Sequence, residues 1–216
     1  MVRALLAGKK TQTRRVIKPN PWPEDREPPY VVPFVGGARA VWYDSVDSAV
    51  HLASPFVVGD RLWVKETHAF NWATDDQKSR DIDPELWSVR YIADDFVRPA
   101  VRDGQTATVD QCKKLRPSIF MPRWASRLTL TVTDVRVERL QDINREDAIA
   151  EGLTHKPGVI EPDWWMLPEP LLQGTWLSPV AAYRFLWDQI NGAGAWDANP
   201  WVVAVTFDVR EGNIDA

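Results

Sequence analysis

The sequence predicts an α+β fold built around a small barrel, and three observations lead there. Stretches of strand-like alternation recur along the chain, separated by short helical segments with no regular strand–helix–strand rhythm. The 216 residues suit one domain with large insertions and can bury a sizeable core. The 17 prolines and 12 tryptophans promise long irregular connections between the periodic segments.

Residues 2–7 predict a short helix that Gly8 ends in the left-handed conformation. The prolines between Lys18 and Gly37 predict a loop, with a short strand at Tyr30–Val32. GDRLWVKETH (Gly59–His68) predicts a turn and then a strand with Leu62, Val64 and Glu66 on one face. Residues 71–111 are polar and mixed, so most of them are expected to form an insertion around one strand at Trp87–Ile92. RLTLTVTDVRVERL (Arg127–Leu140) carries the clearest strand signal, because Leu128, Leu130 and Val132 alternate with threonines and the run resumes at Val135 and Val137. A helix is expected over 145–151, with Asn144 as N-cap, Glu146 and Asp147 in the first turn and Gly152 just past the end. Residues 154–177 read as a second Trp- and Pro-rich insertion, pinned to the body by Trp164, Trp165 and Trp176. Ser178-Pro179 opens a helix through Asn191, with Val180, Tyr183, Leu186, Trp187 and Ile190 on one stripe. WVVAVTFDV (Trp201–Val209) closes the pattern as a strand.

Lys plus Arg number 26 and Asp plus Glu 30, a formal charge of −4, which argues against a general DNA-coating protein but leaves room for local patches. The one cysteine, Cys112, excludes an internal disulfide framework and fits a reducing cytosol. No apolar run approaches the roughly 18 residues of a membrane span, so a cytoplasmic protein without a membrane partner is expected. His51, His68 and His155 share no ligand spacing with Cys112, so no metal site is expected. His68, near Glu66, reads as a surface or pocket residue, and GAGAW (Gly192–Trp196) lacks the spacing of a phosphate loop.

The chemistry-bearing stretch is AGKKTQTRR, Ala7 to Arg15. Residues 1–18 hold Arg3, Lys9, Lys10, Arg14, Arg15 and Lys18 and no carboxylate. Crowded positive charge disfavours the charged form of a lysine, which suits it to act as a base. Thr13 lies three residues after Lys10, a spacing that puts them on opposite faces of a flat strand. They converge only if the chain turns between them, and the alternative is a solvated basic segment.

Gly8, Lys10, Thr13 and Arg15 fit the pattern G-x-K-x-x-T-x-R, and in this the chain resembles the ASCH domains, small β-barrel proteins similar to the RNA-binding PUA domains. The blocks GDRLWVKET, MPRWASRLTLTVTDVRVERLQDINREDAIAEG and LWDQINGAGAWDANPWVVAVTFDV are similar to longer ASCH-like proteins of bacteriophages and prophages. The resemblance implies a PUA-like, partly open barrel of five to six strands, with short flanking helices, in a phage- or prophage-encoded protein. A small bacterial member of the group is an amidohydrolase that removes the acetyl group from N4-acetylcytidine. Carried onto this chain, its active residues become Lys10, Thr13 and Glu151, with Gly8, Arg15 and Trp201 expected to contact substrate and no cofactor required.

Glu151 also has a physical argument of its own. At the C-terminal end of its helix the dipole disfavours a carboxylate, an environment suited to proton exchange if the group is buried. A threonine hydroxyl needs such a neighbouring base to attack an amide carbonyl. Arg15 and backbone N–H groups of residues 8–13 are expected to steady the oxyanion.

A second basic stretch, KKLRPSIFMPRWASR, carries Lys113, Lys114, Arg116, Arg123 and Arg127 with Phe120 and Trp124 and no carboxylate. Cations interleaved with aromatics suit phosphates and stacked bases. With Lys9 and Arg14 these residues make a candidate surface for RNA or single-stranded nucleic acid. The alternative is a loop anchored by its rings with its charges in water. The functional expectation is therefore nucleobase or nucleotide recognition, in its sharpest form deacylation of an N4-acylated cytidine. A non-catalytic RNA-binding module, a ribonuclease and a phage assembly protein are the alternatives.

Overall fold

The computed structural model describes residues 1–17, 39–45, 48–53, 55–100, 102, 104, 106–156, 164–168 and 174–216. The expected Pro-rich loop and the strand at Tyr30–Val32 lie outside the described residues, as does Lys18. Three α-helices are described, α1 (Val2–Leu6), α2 (Arg145–Ala150) and α3 (Pro179–Asn191). The strands are β1 (Gln12–Val16), β2 (Arg39–Ser45), β3 (Ser48–Ala53), β4 (Arg61–Trp63), β5 (His68–Phe70), β6 (Val89–Tyr91), β7 (Val97–Arg98), β8 (Leu128–Arg139), β9 (Thr154–Lys156), β10 (Trp164–Met166) and β11 (Trp201–Glu211). This is an α+β protein, and the strand pairs whose register is described are antiparallel. None of the described sheets closes into a barrel.

The chain divides into two compact units. The first comprises Met1, Arg3–Asp60 and Thr131–Asp208. Here β1 pairs antiparallel with β11 from Gln12 opposite Thr206 to Val16 opposite Val202, and β11 is flanked on its other side by β8. The β-branched run of β11 buries Trp201–Val205 almost continuously, as a strand covered on both faces does. Gly8 takes φ +65° and closes α1 through its N–H to the Leu5 carbonyl, as expected for a left-handed helix stop. The Asn144 side chain accepts from the Asp147 N–H and starts α2. Pro179 occupies the first turn of α3, and Ala182, Tyr183, Leu186 and Trp187 are buried beneath it.

Helices α2 and α3 pack around a core of Leu140, Ile143, Leu153, Trp165, Leu186 and Val202. Trp165 and Trp176 exchange backbone hydrogen bonds, so the described part of the second Trp-rich segment is held on this core as expected. Ile190 departs from its predicted core stripe and is 64% exposed.

The second unit comprises Val2, Arg61–Leu130 and Val209–Ala216. Its sheet is β5-β6-β7, over a core of Phe70, Ile82, Val89, Tyr91, Met121 and Ala125. Residues 71–111, expected as an insertion, thus supply two of its strands and much of its core. The expected face of Leu62, Val64 and Glu66 also holds in an unforeseen way. Val64 and Glu66 are both buried, and Glu66 is tolerated there because Arg127 clasps both its carboxylate oxygens at 2.8 and 2.9 Å.

Candidate active site

The bend that the Lys10–Thr13 spacing requires is built where α1 gives way to β1. Lys10 forms an isolated antiparallel bridge with Glu151, and the Thr11 N–H donates to the Ala150 carbonyl. The segment is thereby tied to the C-terminal end of α2 before it enters the sheet. β1 is the outer strand in the order β1-β11-β8, so side chains from both its faces reach one cavity. That cavity has a volume of about 330 Å³, and Lys10, Thr13, Arg14, Arg15, Glu151 and Tyr183 are among its lining residues.

Its floor is a hydrogen-bonded set of buried ionic groups. Lys10 Nζ donates to Glu151 Oε2 at 2.6 Å and to the Glu151 carbonyl at 2.9 Å, which leaves one position on the nitrogen for a further partner. Glu151 Oε1 accepts from Arg14 Nη1 at 3.3 Å and from the Tyr183 hydroxyl at 3.2 Å. The carboxylate is 5% exposed, so three donors offset both its burial and the helix dipole.

Arg14 is held from behind. Its guanidinium donates to Glu138 at 2.7 and 3.0 Å and to Asp147 at 3.0 Å, and it also bonds the Gln12 side chain. Burial alone would lower its pKa, but Glu138 and Glu151 outweigh that and raise it. Burial lifts Tyr183 well above the ordinary phenol value, and the Glu151 charge adds to the effect, so the hydroxyl stays a donor. Asp147 is pushed up by burial, yet hydrogen bonds from Gln12 and Arg136 and the charge of Arg14 bring it below the ordinary carboxylate value.

Lys10, Thr13 and Glu151, the three residues expected to carry the chemistry, therefore line one cavity. Arg15 lines it too, as an exposed residue, in contrast to the buried Lys10–Glu151 pair. Gly8 and Trp201 are not among the lining residues. Gly8 serves the helix stop, and Trp201 is buried with the Arg139 guanidinium 4.5 Å from its ring centroid. Arg14, expected at a nucleic-acid surface, is buried in the network instead, and Lys9 is exposed. Tyr183, Glu138, Asp147 and Gln12 were not foreseen at the site. Their signal in sequence is faint: a hydroxyl on the α3 stripe and acids near the expected N-cap.

The second basic stretch lies in the other unit, where four of its cations have hydrogen-bond acceptors and the fifth, Lys113, an exposed ion pair. Arg116 is buried and donates to the carbonyls of Thr74 and Gln77, both at 2.8 Å. Arg123 forms a fork with Asp215, Arg127 spans Glu66 and Asp94, and Lys114 donates to the Asp75 carbonyl. Lys113 lies 3.8 Å from Asp110. Trp124 packs against Phe70 at 5.5 Å, whereas Phe120 is 62% exposed rather than anchoring the loop. His68, read as a surface or pocket residue, is fully buried, its Nδ1 3.1 Å from the Glu66 carbonyl. His51 lies where side chains are not described; among the described residues no group of histidine, cysteine and acids could hold a metal ion. No described helix is long and apolar enough to cross a membrane.

No family model, curated protein or solved structure matches this chain.

Proposed function

We propose that the protein is an ASCH-type amidohydrolase that removes the acyl group from the N4 amine of a cytidine. On this reading, the β1-β11-β8 sheet and its helices belong to a PUA-like, partly open barrel. One observation carries the proposal. Lys10 Nζ lies 2.6 Å from the buried Glu151 carboxylate, and Thr13 lines the same cavity. A volume of about 330 Å³ is at the small end of ligand sites and suits one nucleoside rather than a strand.

The reaction is acyl transfer. Passing a proton from Lys10 Nζ to Glu151 Oε2 leaves an amine able to accept the Thr13 hydroxyl proton. The Thr13 oxygen then bonds to the acyl carbon, the C–N4 bond breaks, and the departing amine takes the proton from Lys10. Water hydrolyses the Thr13 ester by the same route in reverse, releasing the carboxylic acid and restoring the hydroxyl. Arg14 and Tyr183 hold Glu151 in place during both halves.

The test is steady-state turnover of N4-acetylcytidine and longer acyl homologues by the purified protein. Lys10→Ala and Thr13→Val should each abolish turnover, Thr13→Ser should retain part of it, and Glu151→Gln should lower kcat more than it raises KM. Equal turnover by wild type and Thr13→Val would refute the nucleophile. No turnover by wild type, together with tight RNA binding, would replace the enzyme with a binding module.

A further inference from the structure

The burial gradient in the cavity separates a floor from a mouth. Lys10, Arg14, Glu151 and Tyr183 are all buried, whereas Arg15, Ile190 and Asn191 are exposed. On the floor every charge is answered within the protein, as described above. Arg15 differs, since its guanidinium makes no ion pair or hydrogen bond with any described residue. The α3 residues that line the same cavity include Leu186, Trp187, Ile190 and Asn191, all of them neutral. Among the described residues, the Arg15 guanidinium is thus a positive charge at the mouth without an ionic partner, in a cavity whose apolar lining weakens screening by water.

Two periodicities give the distance from floor to mouth. Thr13 and Arg15 share one face of β1, about 7 Å apart along the strand. Tyr183 and Ile190 are seven residues apart on α3, which amounts to about 10 Å. A ligand that reacts beside Thr13 and meets Arg15 must therefore carry an anion roughly one ring and one sugar away from its amide. A bare base is too short and a nucleoside lacks the charge.

We propose that Arg15 is a phosphate anchor, and that the substrate class is the N4-acylated cytidine mononucleotide rather than the nucleoside. The planar guanidinium fork matches two phosphate oxygens, a geometry a lysine does not reproduce. This rests on the deacylation reading for the floor but not for the mouth, so the two can fail separately. Phosphate could also come from a strand, and the small cavity favours the free mononucleotide.

The experiment compares kcat/KM for N4-acetylcytidine, its 5′-monophosphate and a short RNA containing the same base, in wild type, Arg15→Ala and Arg15→Lys. Binding of unmodified cytidine and CMP is measured calorimetrically alongside. Wild type should prefer the monophosphate by about tenfold through KM, the scale of one charged hydrogen-bonded contact. High salt should shrink the preference, Arg15→Ala should remove it, and Arg15→Lys should keep part of it. Equal kcat/KM for nucleoside and nucleotide, or a preference that survives in Arg15→Ala, overturns the anchor and leaves deacylation standing. If neither substrate turns over but CMP binds more tightly than cytidine through Arg15, deacylation falls and the anchor stands. A preference for the RNA over the mononucleotide, or equal binding of CMP and cytidine, overturns the proposal.

Discussion

Tyr183 donates its hydroxyl hydrogen to Glu151 Oε1 across 3.2 Å, while Lys10 Nζ holds the other carboxylate oxygen at 2.6 Å. The two contacts approach from α3 and from the segment just before β1, so they fix the plane of the carboxylate as well as its position. The tyrosine is 3% exposed, and water is poorly placed to replace it. Tyr183→Phe keeps the ring and removes one buried hydrogen bond. It should cost about 1 kcal/mol in denaturant unfolding and lower kcat on the acylated substrate several-fold with little change in KM. A fall in KM-linked binding alone would make Tyr183 a substrate contact instead of a positioning residue.

Arg14 is expected to be the most sensitive residue of the network. Its side chain is fully buried and bonds to Glu138, Asp147 and Glu151. Arg14→Met fills similar space but strands carboxylates in the interior, at a cost of about 3–5 kcal/mol. Adding Glu138→Gln removes the negative charge of the group that accepts two Arg14 hydrogen bonds, so the double variant should recover part of that loss. Strict additivity in chemical denaturation would show that the two residues do not interact.

The parts of this architecture readable in sequence are those whose causes are local. Gly8 and Asn144 act on backbone groups a few residues away, and the β8 alternation and the Pro179 helix start are written in consecutive positions. Lys10 meets a partner 141 residues away in sequence. No spacing rule foretells that pair, which was anticipated only through the motif resemblance. Arg14 and Arg15 are adjacent and chemically identical, yet one is buried among carboxylates and the other opens on solvent. Their fates depend on which face of an outer strand meets α2 and α3. The 113–127 cations read as a binding surface because their acceptors, Asp75, Asp94 and Asp215 among them, lie far along the chain.

His68 links stability to pH. Burial lowers its pKa below the ordinary 6.5, and the charge of Arg116 lowers it further, while the Glu66 carbonyl pulls the other way. The folded protein therefore holds the ring neutral. Above 6.5 both states are neutral and stability is full; as pH falls below 6.5 the unfolded chain takes up a proton the folded one resists. Melting temperature should drop between pH 7 and 5, and His68→Phe should flatten that segment of the profile. Asp147 acts lower down, because its folded pKa lies under 3.8 and its contribution is lost only as pH falls from there. A wild-type profile flat from pH 7 to 5 would mean that His68 protonates freely in the fold.

Gly152 follows Glu151 and sits against Lys10, so a single methyl group there tests backbone and site together. Its φ is +100°, and a Cβ built on it would lie 3.1 Å from Lys10 Cβ and 3.2 Å from Ala4 Cβ. Gly8 also has positive φ, at +65°, but a Cβ there would meet nothing within 4 Å. Gly8→Ala should therefore cost only the left-handed backbone term, about 1–2 kcal/mol. Gly152→Ala should cost about 1–3 kcal/mol for its rarer backbone conformation, plus the displacement of its neighbours. The neighbours are Cβ atoms rather than flexible side-chain ends, so relief has to come from a shift of the Lys10 or Ala4 backbone. Such a shift changes the approach of Lys10 Nζ to Glu151. Gly152→Ala should lower both the unfolding midpoint and turnover, whereas Gly8→Ala should lower the midpoint and spare most of the turnover. Equal losses in both measurements for the two variants would show that the glycine beside Glu151 serves the chain path alone.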